Sequence, residues 1–455
     1  MIGIKNQESR IKNHEDPACV RARYKIRDEV IRGMTRSIVL LATALIISLT
    51  LSGSPTHAQA ARVGWPQWGG PSRNFHVETA SIGRSWPKDG PKQLWRRPLG
   101  EGYSSILVEG GTLVTMYRRG DEEVIIALDA ATGATRWEHA YRAPLTRNGY
   151  FDVWLNAAGP GPYSTPLIAD GTVFTIGVDG RFHALDLQTG SIRWSHDLVA
   201  SFKLNEYNAF ASSPLGYKDT VILPLGGSGR GLVAFKRDTG VLAWQSDPLP
   251  LAPGSPIIID VDGQRELVMW GQQELAAFNP DNGRLLWRHP HQSQLGLNIS
   301  TPLWQPGNRL FVSSAYGGGS RMLQLSRIDG RTTPKELWFT NRMHLHFGGA
   351  LRMGELIIGT TGDFGPAFMV AVEADSGAEV WRDRSFARAQ MVDANGTLVI
   401  VDEHGAIAVA SVSKGGLQVH ARKEILTPNA WTPPTLVGST LYVRDRKDIL
   451  ALDLR

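Results

Sequence analysis

The chain has 455 residues, of which 42% are hydrophobic and 20% are charged, which is typical of a globular protein that buries a large core and argues against a disordered chain. Its formal net charge is +5, but most of the basic excess lies before residue 37, and the remainder carries a formal charge of about +1. A near-neutral remainder argues against nucleic-acid binding.

The N-terminal region has the layout of a signal peptide. A basic stretch ending at Arg36 precedes the apolar run Ser37–Leu51, and Ala58-Gln59-Ala60 forms a small-residue cleavage pattern. The apolar run is shorter than the roughly 20 residues of a membrane span. We therefore predict a cleaved signal peptide over residues 34–60, no stable membrane span after cleavage, and a periplasmic or secreted protein. Residues 1–33 are either an extension or a mis-assigned upstream start, so translation begins at Met1 or Met34.

The one cysteine, Cys19, lies in residues 1–33. The predicted mature chain therefore contains no thiol, no disulfide, no haem-attachment motif and no cysteine for lipid attachment at the cleavage site. A core of this size folds without disulfides in an oxidising compartment.

One pattern recurs along the rest of the chain: a β-type run, Ala-Leu-Asp or a variant, Thr-Gly, and then an aromatic residue. In the clearest copy Ala184-Leu185-Asp186 is followed by Thr189-Gly190 and Trp194. Glycine takes the positive φ that such a tight hairpin requires, and the aromatic ring is large enough to dock between neighbouring sheets. The residues that mark the repeats are Trp95, Trp137, Trp194, Trp244, Trp287, Trp338, Trp381 and His420.

Each repeat has room for four strands. For the repeat that ends at Trp194 we predict strands over residues 164–169, 172–177, 181–187 and 191–198. The chain ends on half a repeat at Ala451–Arg455, and the missing outer strand lies near Trp95. The sequence therefore predicts an all-β, eight-bladed β-propeller of four-stranded antiparallel blades, closed by pairing of N-terminal and C-terminal strands, which removes exposed sheet edges.

These repeats, together with Trp65-Pro66-Gln67-Trp68-Gly69-Gly70-Pro71 and Gly90-Pro91-Lys92-Gln93-Leu94-Trp95, resemble the pyrroloquinoline-quinone-like (PQQ-like) β-propeller proteins of bacteria. That family includes the BamB-type outer-membrane assembly factors. The resemblance implies a quinoprotein alcohol dehydrogenase-like fold, with an N-terminal segment over residues 61–91 leading into a propeller over residues 92–455. It leaves the function open, because one scaffold serves many sites.

Strand order divides the connections between two faces. The connections from an outer strand to the next inner strand share one face with those between second and third strands, and we call it the loop face. Propellers bind ligands where such loops converge on the central channel, and aromatic, amide and guanidinium groups suit a planar ring, a sugar or an extended peptide. The predicted ligand-binding residues are Asn148, Tyr150, Trp154, Tyr163, Asn208, Phe210, Arg230, Asn298, Arg321 and Trp431. The alternative is that these loop residues only pack on one another.

Two His-x-His pairs, His289 with His291 and His344 with His346, lie on neighbouring outer-to-inner connections. Alternate residues of an extended chain point the same way, so each pair could present two imidazoles to a metal ion. The alternative is that they are ordinary loop histidines. No serine-nucleophile motif is present, and no catalytic residue is predicted.

Three functions stay open. The first is a non-catalytic scaffold that binds an envelope protein or a small ligand at the loop face of the funnel, without a cofactor. The second, implied by the resemblance, is a quinoprotein dehydrogenase that oxidises alcohols or sugars with PQQ and calcium, although the vicinal cysteines found in some of these enzymes have no counterpart in the mature chain. The third is a carbohydrate-binding propeller.

Overall fold

The computed structural model describes residues 64–78, 82–144, 159–204, 210–225, 231–250, 252–363 and 365–455. The predicted signal peptide at residues 34–60 and the region 1–33 lie outside the described residues. Everything reported below belongs to the compact unit Val63–Arg455.

The first half of the ring consists of four antiparallel sheets, which we number as blades 1 to 4 in chain order. Two strands precede them, β1 (His76–Val77) and β2 (Lys92–Pro98). Blade 1 comprises β3 (Leu107–Glu109), β4 (Thr112–Arg119), β5 (Glu122–Asp129) and β6 (Thr135–Arg142); blade 2 comprises β7 (Leu167–Ala169), β8 (Thr172–Ile176), β9 (Arg181–Asp186) and β10 (Ile192–Asp197), followed by the short helix α1 (Leu198–Phe202). Blade 3 comprises β11 (Leu215–Tyr217), β12 (Thr220–Pro224), β13 (Leu232–Lys236) and β14 (Leu242–Gln245); blade 4 comprises β15 (Ile257–Val261), β16 (Gln264–Trp270), β17 (Glu274–Phe278) and β18 (Leu285–Pro290).

The second half of the ring repeats this arrangement in blades 5 to 8. Blade 5 comprises β19 (Leu303–Gln305), β20 (Arg309–Ser314), β21 (Gly319–Ile328) and β22 (Arg331–Thr340); blade 6 comprises β23 (Leu351–Met353), β24 (Leu356–Thr361), β25 (Phe368–Glu373) and β26 (Glu379–Asp383). Blade 7 comprises β27 (Ala389–Ala394), β28 (Thr397–Asp402), β29 (Ala406–Ser413) and β30 (Gly416–Glu424); blade 8 comprises β31 (Thr435–Val437), β32 (Thr440–Arg444), β33 (Asp448–Asp453) and β2.

The closing blade joins the two ends of the propeller. Strand β2 pairs antiparallel with β33, from Lys92 opposite Asp453 to Pro98 opposite Asp448. The strand order β2-β33-β32-β31 makes β2 the outer strand that the C-terminal half-repeat lacks. The predicted eight-bladed, end-closed propeller is confirmed.

The repeat tryptophans hold successive blades together. The Trp137 indole of blade 1 donates a hydrogen bond to the Leu187 carbonyl of blade 2 at 2.9 Å. Its ring also lies on Gly190, where a Cβ would come within 2.6 Å of the ring. Trp95 makes the same pair of contacts with Ala130 and Gly133 across the closing blade. Each Thr-Gly turn therefore serves as a hairpin turn and as a platform for the neighbouring ring.

The interface between blades 4 and 5 departs from this arrangement because the β21–β22 hairpin is long. Its turn glycine, Gly330, supports no ring, because a Cβ added there would have nothing within 4 Å. The indole of Trp287 instead donates to the buried carboxylate of Glu266 at 2.6 Å, and the Thr332 hydroxyl donates to the same carboxylate. The Glu266 carboxylate thus accepts the indole hydrogen bond at this interface, as the Leu187 carbonyl does from Trp137 between blades 1 and 2.

The inner strand of blade 2 is shorter than the predicted 164–169, since β7 begins at Leu167. Pro166 has no N–H, and the N–H of Thr165 donates to the Ser213 hydroxyl of blade 3 at 3.1 Å. Equivalent bonds run from Ser105 to Thr165 and from Ser213 to Ser255. The residues before these inner strands therefore bond to the next blade rather than within their own.

The N-terminal segment crosses the central channel. Trp65 exchanges two backbone hydrogen bonds with Val108 of blade 1, whereas the indole of Trp68 donates to Thr301, on the connection into blade 5, at 2.8 Å. Blades 1 and 5 are opposite in an eight-bladed ring, so the chain passes from one side to the other in four residues. Strand β1 then adds in parallel to β27 of blade 7. The segment therefore lies across the inner strands and contacts blades 1, 5 and 7.

We predict that Gly190→Ala destabilises the protein much more than Gly171→Ala. Both glycines lie in blade 2 with similar positive φ, 73° and 68°, so the backbone strain is matched. Only at Gly190 does the new Cβ collide with an indole, and such overpacking costs about 1–3 kcal/mol more. Denaturant unfolding of the two variants measures the difference, and equal losses would contradict the role of the glycine as a platform.

Candidate binding site on the loop face

A continuous row of aromatic rings lies on the loop face, and we call it the aromatic belt. Each member belongs to an outer-to-inner or second-to-third strand connection. The belt comprises, in order of contact, Tyr163, Tyr103, Trp431, Phe347, His346 and Tyr316. These residues come from blades 2, 1, 8, 6 and 5, so the belt spans most of the channel mouth.

The rings contact one another closely. Tyr163 and Tyr103 are stacked with centroids 6.2 Å apart, and Tyr103 stacks on Trp431 at 5.3 Å. Trp431 in turn contacts Phe347 at 5.2 Å. Such spacings lie within the favourable range for aromatic pairs, so the rings hold one another in place.

Blade 7 supplies the polar groups that fix the centre of the belt. The Trp431 indole donates to a Glu403 carboxylate oxygen at 3.0 Å, and Arg388 lies 3.1 Å from the other carboxylate oxygen. The Gln390 amide donates to the backbone carbonyls of Phe347 and Trp431 at 3.4 and 3.3 Å. The largest ring of the belt is therefore held by hydrogen bonds as well as by packing.

Charged and neutral polar groups border the belt. Arg446 pairs with Glu101 at 3.1 Å beside Tyr103. Burial raises the pKa of Tyr103 to about 12, so its phenol is neutral, and its hydroxyl oxygen is buried. On the other side, His344 pairs with Asp363 at 2.9 Å. The mouth thus combines apolar ring faces with guanidinium, carboxylate and imidazole groups, a composition that suits ligand recognition.

The predicted site residues fall into three groups. Asn148, Tyr150, Trp154, Asn208 and Arg230 lie outside the described residues. Tyr163 and Trp431 belong to the aromatic belt. The remaining three, Phe210, Asn298 and Arg321, lie elsewhere.

These three make structural contacts. Phe210 is buried between blades 2 and 3. The wholly buried Asn298 donates from its amide to the carbonyls of Gly271 and Gln272. Arg321 pairs with Glu336 at 2.8 Å and lies over the ring of Phe339.

The two His-x-His pairs are not brought together. His291 is buried, with its Nε2 2.6 Å from the Ser314 hydroxyl, and burial lowers its pKa to about 3. His346 joins the belt with its Nε2 2.7 Å from the Tyr316 hydroxyl, and burial lowers its pKa to about 4. Among the described residues there is no group of three or more His, Cys, Asp or Glu side chains that could hold a metal ion. The neutral imidazoles act here as hydrogen-bonding and packing groups.

Sequence reasoning missed Tyr103, Glu403 and Arg388. Tyr103 lies on the connection into the first inner strand, the same position that Trp431 occupies in blade 8, so the rule that selected Trp431 could have found it. Glu403 and Arg388 carry no comparable signal, because only the packing of blade 7 against the belt brings them to Trp431.

A buried carboxylate lies beneath the loop face between blades 1 and 2. Glu123 accepts hydrogen bonds from the Tyr141 hydroxyl at 2.7 Å and from the Val178 N–H at 3.3 Å, with Arg118 3.6 Å away. Burial raises the pKa of Glu123 from 4.5 to about 7, against the opposing effects of Tyr141 and Arg118.

We predict that this acid makes stability depend on pH. The folded state binds the Glu123 proton more tightly than the unfolded state does. The contribution of this proton to the free energy of unfolding is therefore fully present below pH 4.5 and is lost as the pH rises to about 7. The shift corresponds to about 3 kcal/mol. Glu123→Gln should remove this contribution, whereas the exposed Glu355→Gln should not. Unfolding free energies of the three proteins from pH 4 to 8 test this, and parallel wild-type and Glu123→Gln curves would contradict it.

The chain is similar in sequence to assembly factors and to quinoprotein dehydrogenases. The family model described as outer membrane protein assembly factor BamB matches residues 86–247 and 121–382. The outer membrane protein assembly factor BamB of Burkholderia pseudomallei (strain K96243) is 26% identical over 353 residues, which cover 70% of this chain and 87% of that protein. The quinoprotein alcohol dehydrogenase PedH of Pseudomonas putida is 24% identical over 213 residues, which cover 43% of this chain and only 33% of the dehydrogenase.

Solved structures show the same fold. BamB from Moraxella catarrhalis superposes with a TM-score of 0.58 at 16% identity, covering 80% of this chain and 99% of that one. The quinohemoprotein alcohol dehydrogenase from Comamonas testosteroni also gives a TM-score of 0.58, at 13% identity, covering 87% of this chain and 81% of that one. At these identities the likeness concerns the propeller alone.

Proposed function

The chain belongs to the PQQ-like propeller family of the outer membrane protein assembly factor BamB, and from this premise we propose that it is an exported, non-catalytic scaffold that binds an envelope protein or a small ligand at its loop face. The observation that carries the proposal is the aromatic belt, which joins rings from five blades across the channel mouth.

The belt suits binding because its rings are held before a partner arrives. Trp431, Phe347 and Tyr163 are half-buried, so each retains exposed surface while its position is fixed by neighbours. Aromatic side chains supply large contact areas for little conformational entropy, and preorganisation lowers the entropic cost of association. The bordering Arg446 and Glu403 add polar contacts to orient a peptide or a planar ligand.

An envelope protein is the partner that the family favours. The Burkholderia relative is named as an outer membrane protein assembly factor. The predicted signal peptide over residues 34–60 would export this chain as a periplasmic or secreted protein, where it could meet envelope proteins. No helix in the described part of the chain is long and apolar enough to cross a membrane.

The dehydrogenase relatives favour a second candidate, a quinoprotein that oxidises alcohols or sugars with PQQ and calcium. Calcium is bound by several oxygen ligands, usually including carboxylates, and the described residues gather no cluster of three or more acidic or histidine side chains. The described residues therefore supply no carboxylate cluster for calcium, and we derive no catalytic step through the quinone. A sugar ligand stacked on Trp431 and Tyr163 is the third candidate.

We predict that a photo-crosslinking residue at Phe347 captures a protein partner in the cell envelope, whereas the same residue at Phe339 does not. Both positions carry phenylalanine, but Phe347 lies in the belt and Phe339 is 49% exposed on an outer strand. Crosslinking in whole cells and identification of the adducts by mass spectrometry make the measurement. Equal capture at both positions would contradict a loop-face partner site.

We further predict that the purified protein, incubated with PQQ and calcium, does not reduce an artificial electron acceptor when alcohols or aldoses are added. Turnover above a control without the quinone would overturn the scaffold proposal in favour of the dehydrogenase.

Binding to a glycan array that is lost in Trp431→Ala and kept in Trp304→Ala would favour the sugar candidate. Trp304 is a suitable control because it is a half-buried tryptophan on an inner strand and is not part of the belt.

A further inference from the structure

The N-terminal segment carries a buried guanidinium into the channel. Arg73 is 7% exposed as a residue, and its Nη1 donates to the Pro214 carbonyl of the chain entering blade 3 at 3.0 Å and to the Gln67 side-chain oxygen at 3.3 Å. Both acceptors are neutral. The other two nitrogens, Nε and Nη2, are buried and have no hydrogen-bond partner.

Arg444 provides a matched comparison within the same ring. Burial lowers the pKa of both Arg73 and Arg444 to about 9. All three nitrogens of Arg444 have acceptors, among them the carbonyls of Met116 at 2.6 Å and Gly100 at 3.1 Å, and Asp445 favours its charge. Every guanidinium nitrogen of Arg444 is therefore hydrogen-bonded to the protein, whereas only Nη1 of Arg73 is.

The two unpartnered nitrogens are not an arbitrary pair. Nε and Nη2 carry the parallel N–H bonds of one edge of the guanidinium, the edge that binds both oxygens of a carboxylate or phosphate group. A buried charge without an opposite charge is strongly unfavourable, and buried donors are almost always bonded. The missing partner is thus a group with two acceptor oxygens and a negative charge.

We propose that Arg73 binds a small oxyanion, a carboxylate or a phosphate, inside the central channel. The anion accepts from Nε and Nη2 while Nη1 keeps its bonds to Pro214 and Gln67. The site is separate from the aromatic belt, so it does not depend on the proposed function of the loop face.

Isothermal titration of the full chain with inorganic phosphate and with acetate, in chloride buffer of constant ionic strength, tests the proposal and separates the two anion sources. We expect saturable one-to-one binding of one of them. Arg73→Met should abolish that binding, and Arg73→Lys, which keeps the charge without the fork, should weaken it at least about tenfold. The control Arg96→Met, which removes an exposed guanidinium paired with Asp448, should bind like the wild type.

Two outcomes would overturn the proposal: no binding of either anion by the wild-type chain, or unchanged affinity in Arg73→Met. If the Arg73 variants fail to fold, a crystal of the wild-type chain grown with selenate supplies the second measurement. An anomalous peak within hydrogen-bonding distance of Nε and Nη2 supports the site, and an ordered water molecule there in its place refutes it. Loss of loop-face crosslinking would leave these results unchanged.

Discussion

The contact of a tryptophan ring with a glycine of the next blade is the constraint on which this propeller depends. The glycine must have positive φ to close its hairpin, and it must lack a Cβ because the ring lies where that atom would be. Trp137 on Gly190 shows both requirements at once. The indole N–H then bonds to the carbonyl of Leu187, so a single residue sets both the spacing and the angle between two blades. The same contact recurs where Trp95, Trp194, Trp244 and Trp338 lie on Gly133, Gly240, Gly283 and Gly377, and the pairing of β2 with β33 closes the ring.

This coupling explains why the fold could be predicted from the sequence. The Thr-Gly and tryptophan positions are local signals that recur along the chain. The half-repeat at Ala451–Arg455 lacks an outer strand, which indicates that this strand comes from the region near Trp95. The course of the N-terminal segment could not be predicted in the same way. Trp65 and Trp68 occur in a single motif, and nothing in that motif indicates that one residue reaches blade 1 and the other reaches the chain entering blade 5. Periodicity reveals contacts that repeat, whereas a contact made once leaves no period.

The same distinction applies to the loop face. Trp431 and Tyr163 were predictable because aromatic residues in long outer-to-inner connections converge in any propeller. Phe210 followed the same rule and yet packs between blades, since the rule selects a connection and not the direction of a side chain. Glu403 reaches Trp431 from another blade, a contact that depends on the three-dimensional course of both connections.

Buried charges distinguish the parts of this protein that serve stability from those that bind. Glu266 replaces a missing turn carbonyl and receives two donors; Arg444 joins the closing blade to blade 1 and has acceptors on every nitrogen. The Nε and Nη2 of the buried Arg118 have no hydrogen-bond partner, but the opposite charge of the Glu123 carboxylate lies 3.6 Å away. Burial of each charge is thus offset by hydrogen bonds or by an opposite charge, which is the condition under which such groups persist in a folded core. Arg73, which is 7% exposed, does not meet that condition with protein atoms, because its Nε and Nη2 have neither a hydrogen-bond partner nor an opposite charge. Incomplete satisfaction of the Arg73 guanidinium therefore points to a partner that is not part of the chain.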